Sequence, residues 1–227
     1  EVEVNGQTLT AKNIVIATGA RPRIPDIPGL AALDYLTSDT VWDIRDLPER
    51  LLVVGAGPIG CELAQSFARL GSKVTLVTHA DRLLPREDPE VSERVHAEFR
   101  RQHVKVHANY NPLFFGAAED EQTCVFSTPR GQRKLSFDRV LLAVGRSANV
   151  EGLGLENLDI AVGPEGTVEV DAFLRTAIPT IFACGDVAGP YMFTHMASHQ
   201  AWYAAVNALF GRFRTFKVDY SVVPWAT

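Results

Sequence analysis

The chain has 227 residues, of which 46% are hydrophobic and 22% charged, and a formal net charge of −5. These are ordinary values for a globular domain, and the length allows one large domain or one domain with pieces of another. They exclude the basic footprint of a nucleic-acid or membrane-surface binder, and no apolar run approaches the roughly 18 residues of a membrane span.

The first element expected is a hairpin. Two short alternating runs flank Asn5-Gly6, a dipeptide suited to a type I′ turn because both central residues need positive φ. Ile14-Val15-Ile16-Ala17 follows as a strand buried on both faces, and it stops at Thr18-Gly19. This reads like the closing passage of a domain, with no Met and no front half ahead of it.

A complete unit begins further on. Leu51 to Val54 is a short buried strand, followed at once by Gly55-x-Gly57-x-x-Gly60. A helix is expected to about Leu70, with Leu63, Phe67 and Leu70 on one face and Gly71 closing it. Val74 to Val77 is the next strand. In this β-α-β context Gly55 makes a tight turn, Gly57 admits a pyrophosphate to the backbone, and Gly60 lets helix and strand pack closely. The helix start then offers N–H groups and a positive dipole end to phosphate.

The stretch "CVFSTPRGQRKLSFDRVLLAVGRSA" repeats the opening. With Gly145 set on Gly19, Val140-Leu141-Leu142-Ala143 falls on Ile14-Val15-Ile16-Ala17, and the turn at Arg130-Gly131 sits beside Asn5-Gly6. If the second copy closes a dinucleotide unit, the first should close another, whose own glycine turn is expected upstream of Glu1. Beyond it, the apolar run Ile178 to Ala183 leads to Asp186, and Thr194 is placed to cap a helix through Ala197, Ala201, Ala205 and Leu209. His195 and His199 have i,i+4 spacing but no third ligand or intervening general base, so no metal site is expected. His96, His103 and His107 read as decoration of a solvated helix and strand end, and Phe114, Phe115, Phe126 and Phe137 as core or hairpin packing. Cys61, Cys124 and Cys184 lie far apart without redox or metal spacing, which suits a reducing cytoplasm. Cys61 and Cys184, small residues beside glycines, should be packed and inert.

The ordered motifs "ATGARP", "GAGPIGCELA", "AVGRSAN" and "IFACGDVAG" resemble the pyridine nucleotide-disulfide oxidoreductases, the family of glutathione reductase, dihydrolipoamide dehydrogenase and mercuric reductase. The run "FTHMASHQAWYAAVNALFG" and Arg86-Glu87-Asp88-Pro89 look closest to the mercuric-reductase branch. The resemblance implies an α/β fold of two Rossmann-like dinucleotide units, a complete NAD(P) unit inserted in an incomplete FAD unit. It divides the chain into residues 1–45, the end of the first FAD segment; 46–146, the NAD(P) domain; 147–220, the return to the FAD domain; and 221–227, the start of a dimerisation domain. It also implies a homodimeric flavoprotein that passes hydride from NAD(P)H to FAD and on to a disulfide or related small-molecule acceptor. The redox cysteine pair and the His-Glu acid/base pair would lie outside this chain, so the chain alone is expected to be inactive.

By the same resemblance, Gly55, Gly57, Pro58, Ile59, Gly60, Glu62, His79, Arg82 and Gly145 would meet NAD(P), with Glu62 near the nicotinamide and flavin. Thr18, Gly19, Arg146, Gly185, Asp186, Thr194 and His195 would meet FAD. The bland reading of Glu62 is a carboxylate placed favourably in the first turn of a helix. An NAD-specific unit needs an acid at the end of its second strand, where this chain has Thr78-His79 followed by Arg82 and Arg86. Cations there suit a 2′-phosphate, so NADP is favoured and NAD remains possible. Two rival readings use the same motifs: an NAD(P)H oxidase or quinone reductase without a redox disulfide, and a non-catalytic redox sensor that only binds dinucleotides.

Overall fold

The structure, a computed structural model, describes residues 1–118 and 121–226. The chain forms two compact units, one from residues 1–21 with 147–227 and the other from residues 22–146.

In the first unit, β1 (Val2–Val4) and β2 (Gln7–Leu9) pair antiparallel across Asn5 and Gly6, whose φ values of 50° and 73° are those the turn requires. β3 (Ile14–Ile16) then pairs in parallel with a later strand, Ile181–Ala183. β3 departs from the expectation of burial on both faces. Ile16 is buried, but Val15 stays 43% exposed, because the apolar cluster around Ile16, Ala183 and Val187 covers only one side. β4 (Ala20–Pro22) carries the chain to the second unit.

The second unit is built on a parallel sheet. β5 (Arg50–Val54), β6 (Lys73–Val77), β7 (Lys105–His107) and β11 (Arg139–Leu142) lie in the order β11-β5-β6-β7. α1 (Pro58–Leu70) links β5 to β6, and α2 (Pro89–Arg101) links β6 to β7. The period of two along a strand sends alternate residues to opposite faces. Leu51, Val53 and Leu141 thus join Cys61, Ala64, Phe67 and Phe99 on the helix side. Leu52, Val54, Val140 and Leu142 face the other way, onto Phe115, Cys124, Phe126 and Phe137. These last belong to an antiparallel sheet of β8 (Asn111–Ala118), β9 (Glu121–Thr128) and β10 (Gly131–Phe137). Phe115, Phe126 and Phe137 are core, while Phe114 is 47% exposed.

Pro58 starts α1 with its fixed φ, and Gly71 ends it at φ 115°, its N–H reaching Phe67 O and Ala68 O. Of the expected stripe, Phe67 is buried and Leu63 partly so, but Leu70 is 68% exposed. Gly60, Cys61 and Ala64 share the inward face with Phe67, and the helix comes so close at its start that a Cβ on Gly60 would stand 2.0 Å from Gly55 O.

Residues 22–45, expected to finish a flavin segment, cluster with this second unit. Leu30 and Leu33 pack with Leu52 and Phe115, and Leu36 bridges to β11 by Leu36 N–H to Val140 O and Leu142 N–H to Leu36 O, both 2.8 Å.

The chain returns through β12 (Arg146–Ala148) to β13 (Ile181–Ala183), a 3₁₀ turn over Gly185–Val187, and α3 (Thr194–Phe210). The buried face of α3 is Met196, Gln200, Ala204 and Asn207, while Ala201, Ala205 and Leu209 are exposed. Two of those four residues are amides. Asn207 donates to Phe173 O and Phe216 O and accepts from Phe216 N–H, tying the helix to the segments on either side. Ser221–Ala226 form no strand, and Thr227 lies outside the described residues.

Candidate functional site

The glycine turn after β5 separates three roles that the motif only implied. Gly55 sits at φ 113°, and a Cβ there would stand 2.2 Å from Ala143 O. A Cβ on Gly60 would stand 2.0 Å from Gly55 O. Both positions are closed by the protein's own backbone. At Gly57 a Cβ would meet nothing within 4 Å, so the space beside this residue is open. α1 begins immediately after it. Gly57 is the N-cap without any side-chain cap, the first turn holds no acid, and the first helical bond runs from Cys61 N–H to Gly57 O. Pro58 has no N–H, so Ile59 and Gly60 carry the leading donors, ahead of that first bond. An open cradle with helix-start donors and no competing carboxylate fits a pyrophosphate. Glu62, exposed and fifth in the helix, stands beyond the first turn, so the dipole account of it does not apply.

The loop after β6 folds back on this turn. Leu84, at φ 45° and buried, gives its N–H to Ala56 O at 2.8 Å. Thr78 is buried, and its Oγ1 accepts from Ala80 N–H, so the strand-end position open to a ligand is the exposed His79. Arg82 spends Nη2 on its own loop, donating to Pro85 O at 3.0 Å and Glu87 O at 3.1 Å, and its Nε is buried without a partner. It acts first as a loop staple. Arg86, in the same loop, is exposed. Behind Arg82 a cavity of about 300 Å³ is lined by Asp81, Ser92, Glu93, His96 and Val106. His96 and His107 are not simply solvated: partial burial pushes both below the ordinary histidine range, and His107 stacks on Tyr110 at 4.7 Å. Gly145, at φ 109° with open space around it, accepts Arg23 N–H.

In the other unit the expected flavin residues fall into two groups. Thr18 and Gly19 belong to a tied pair of segments. Thr18 Oγ1 donates to Asn149 O at 2.7 Å, Asn149 Nδ2 donates to Thr18 O, and Asn149 N–H donates to Gly19 O. Arg21 locks the same pair with a two-pronged contact to Glu151 and a bond to Asn149 Oδ1. Those hydrogen bonds, then the Arg21 charge, hold the Glu151 carboxyl down at about 2. The contact is intact above the ordinary glutamate range and is lost as pH falls from there towards about 2. Arg146, which closes the second unit, is half-buried.

The second group lies at the carboxyl end of β13. Gly185, at φ 79°, opens the turn that carries the half-buried Asp186. Thr194 is the first residue of α3, not its cap; the N-cap is Phe193, which makes no side-chain capping bond. Thr194 and His195 are exposed, and His195 stacks on the Phe193 ring at 5.4 Å. His199 bonds the Asp219 carbonyl, and among the described residues no cluster of three His, Cys, Asp or Glu could hold a metal. Sequence reasoning missed Gln200, fully buried and bonded to this turn. Its only signal was a long polar side chain four residues after Met196 and four before Ala204.

All three cysteines are free and buried. Burial pushes the Cys61 and Cys124 thiols to about 12 and raises Cys184. Because the thiolate is the reactive form, the native chain is expected to resist a thiol reagent at about pH 8, while the unfolded chain labels at all three cysteines. Fast native labelling would contradict this assignment.

Residues 1–201 match the family model described as pyridine nucleotide-disulphide oxidoreductase. A mercuric reductase of Streptomyces lividans is 39% identical over 220 residues, 97% of this chain and 46% of that protein. A dihydrolipoyl dehydrogenase of Chlamydia pneumoniae is 35% identical over 228 residues, 99% of this chain and 48% of that protein. The solved structure of the HOCl-induced flavoprotein disulfide reductase RclA from Escherichia coli superposes with a TM-score of 0.80 at 32% identity, covering 91% of this chain and 46% of that one. The chain therefore spans about half the length of the curated relatives it matches. No described helix is long and apolar enough to cross a membrane. With its glycine turn, its two units and a family match over most of its length, the chain belongs to the pyridine nucleotide-disulphide oxidoreductase family.

Proposed function

We propose that this chain supplies the NAD(P)-binding unit and part of the FAD-binding unit of a homodimeric, cytoplasmic flavoprotein reductase. The observation that carries this reading is Gly57: its neighbours in the motif are closed by backbone, and it alone faces open space beside a bare helix start. Gly57, Ile59 and Gly60 hold the NADPH pyrophosphate on the turn that Gly55 makes, His79 and Arg86 meet the ribose end, and Glu62 lies towards the nicotinamide. Asp186 and the start of α3 at Thr194 and His195 hold flavin, with Thr18 and Gly19 on the same cofactor. When bound, NADPH supplies a hydride and FAD accepts it, passing electrons to a disulfide or a related acceptor of the mercuric-reductase kind. The protein contributes placement and electrostatics. The buried thiols take no part.

The test is anaerobic addition of NADPH to the whole protein that carries this chain. Bleaching of bound flavin, followed by reoxidation with a disulfide or Hg(II) acceptor, is the expected result. A whole protein without flavin, or with flavin that NADPH leaves oxidised, overturns the proposal. Reoxidation by oxygen or quinone alone would favour the oxidase reading.

For cofactor choice, NADPH is expected to bind more tightly than NADH. His79→Glu supplies an acid for the ribose hydroxyls and repels the 2′-phosphate, so it should narrow or reverse the preference by about tenfold. Calorimetry at matched ionic strength measures both affinities, and tighter NADH binding by the wild type would refute the preference.

A further inference from the structure

The turn that carries Asp186 is held from behind by one side chain of α3. Gln200 is fully buried. Its Oε1 accepts Gly185 N–H at 2.6 Å, and its Nε2 donates to Gly189 O at 2.6 Å and to Tyr220 Oη at 2.9 Å. The amide thus uses its oxygen and both N–H donors. Gly185 and Gly189 stand at the two ends of the turn, at φ 79° and 63°. Within it, Ala188 and Gly189 N–H both return to Gly185 O. Gln200 therefore fixes the span of the turn and leaves Asp186 between its two anchors. Tyr220, itself half-buried and tilted against Tyr191 at 5.8 Å, joins the clamp to the segment after α3.

Burying a polar amide on a helix face costs more than filling the same space with an apolar residue, unless every bond is made. Here all are made, and two of the three go to one turn. We propose that Gln200 is a positioning residue for flavin: its amide spans Gly185 N–H and Gly189 O and sets the place of the Asp186 carboxylate. The inference rests on the reading that Asp186 meets flavin.

Gln200→Glu separates this role from simple packing. The protonated acid has the shape of the amide and keeps a donor for Gly189 O. The carboxylate turns a second oxygen on that carbonyl, and burial opposes its charge. The other titratable groups at hand are Tyr220 and Tyr191, Cys184 and Asp186 beside Gly185, and His199 next on the helix, facing Asp219. The wild type measured at the same pH cancels their effect.

The experiment titrates FAD into the apo form of the whole protein at about pH 5.5 and about pH 8.5, following flavin fluorescence. For Gln200→Glu, the dissociation constant relative to wild type should rise about tenfold or more between the two pH values. Gln200→Leu should weaken FAD by at least about tenfold at both, with NADPH affinity unchanged. A Gln200→Glu ratio independent of pH, or Gln200→Leu binding FAD like the wild type, overturns the proposal even where Asp186→Ala weakens FAD. Unchanged FAD affinity in Asp186→Ala instead removes the flavin reading on which the proposal rests. If Gln200→Leu does not fold, the isosteric Glu variant decides alone.

Discussion

Gly57→Val is expected to leave the chain folded and to abolish its affinity for NADPH. Gly57 has φ −75° and ψ −177°, extended values that a β-branched residue adopts without strain. Its Cβ would enter space with no protein atom within 4 Å. Stability should therefore change by no more than about 1 kcal/mol, the range of ordinary substitutions without a buried clash. The ligand suffers instead. Two methyl groups would stand where a pyrophosphate must approach the donors of Ile59 and Gly60, and those charge-assisted bonds are the strong ones in such a site. A loss of at least about 100-fold, near 2.7 kcal/mol, should follow. Calorimetry with NADPH and a thermal melt of the same sample measure both halves, and an unchanged affinity would remove the loop from the binding site.

Gly60→Ala should do the reverse. Its Cβ would lie 2.0 Å from Gly55 O and 3.0 Å from Gly55 C, backbone atoms that cannot rotate away. α1 would have to lift from β5, opening the packing of Cys61 and Ala64 on Val53. Overpacking of this kind costs about 1–3 kcal/mol, and for a chain of this size that corresponds to a fall in Tm of roughly 3–10 °C. NADPH binding should weaken as a consequence of the displaced helix. A melting cure unmoved from wild type would show that the helix start yields more easily than the geometry allows. One methyl group at Gly60 thus tests the fold, and two at Gly57 test the ligand.

The glycine turn was legible in the sequence because its glycine spacing and its helix start lie within six residues, although what closes Gly55 is the distant Ala143 O. The Asn5-Gly6 hairpin was legible for the same reason. What escaped depends on partners distant in sequence. Leu36 joins the second unit through Val140 and Leu142, more than one hundred positions away, and nothing near Leu36 announces them. The charge of Arg82 is visible in the sequence, whereas the Pro85 and Glu87 carbonyls that take its Nη2 are not. On α3 the buried face includes Gln200 and Asn207, whose burial is offset by bonds to Gly185, Gly189 and Phe216. Periodicity detects apolar faces, and it does not see a buried amide whose partners come from other segments.

Nucleotide binding at Gly55–Gly60 is tested most directly by backbone amide NMR of this chain during addition of NADPH, which reports weak binding as well as tight. The largest shifts should fall on Gly55, Gly57, Ile59 and Gly60, with a second group at His79 to Arg86. The competing location is the cleft of about 290 Å³ at the amino ends of the same strands, lined by Arg50, Lys73, Lys105 and His107. Shifts centred on those residues, with the glycine turn silent, would contradict the assignment.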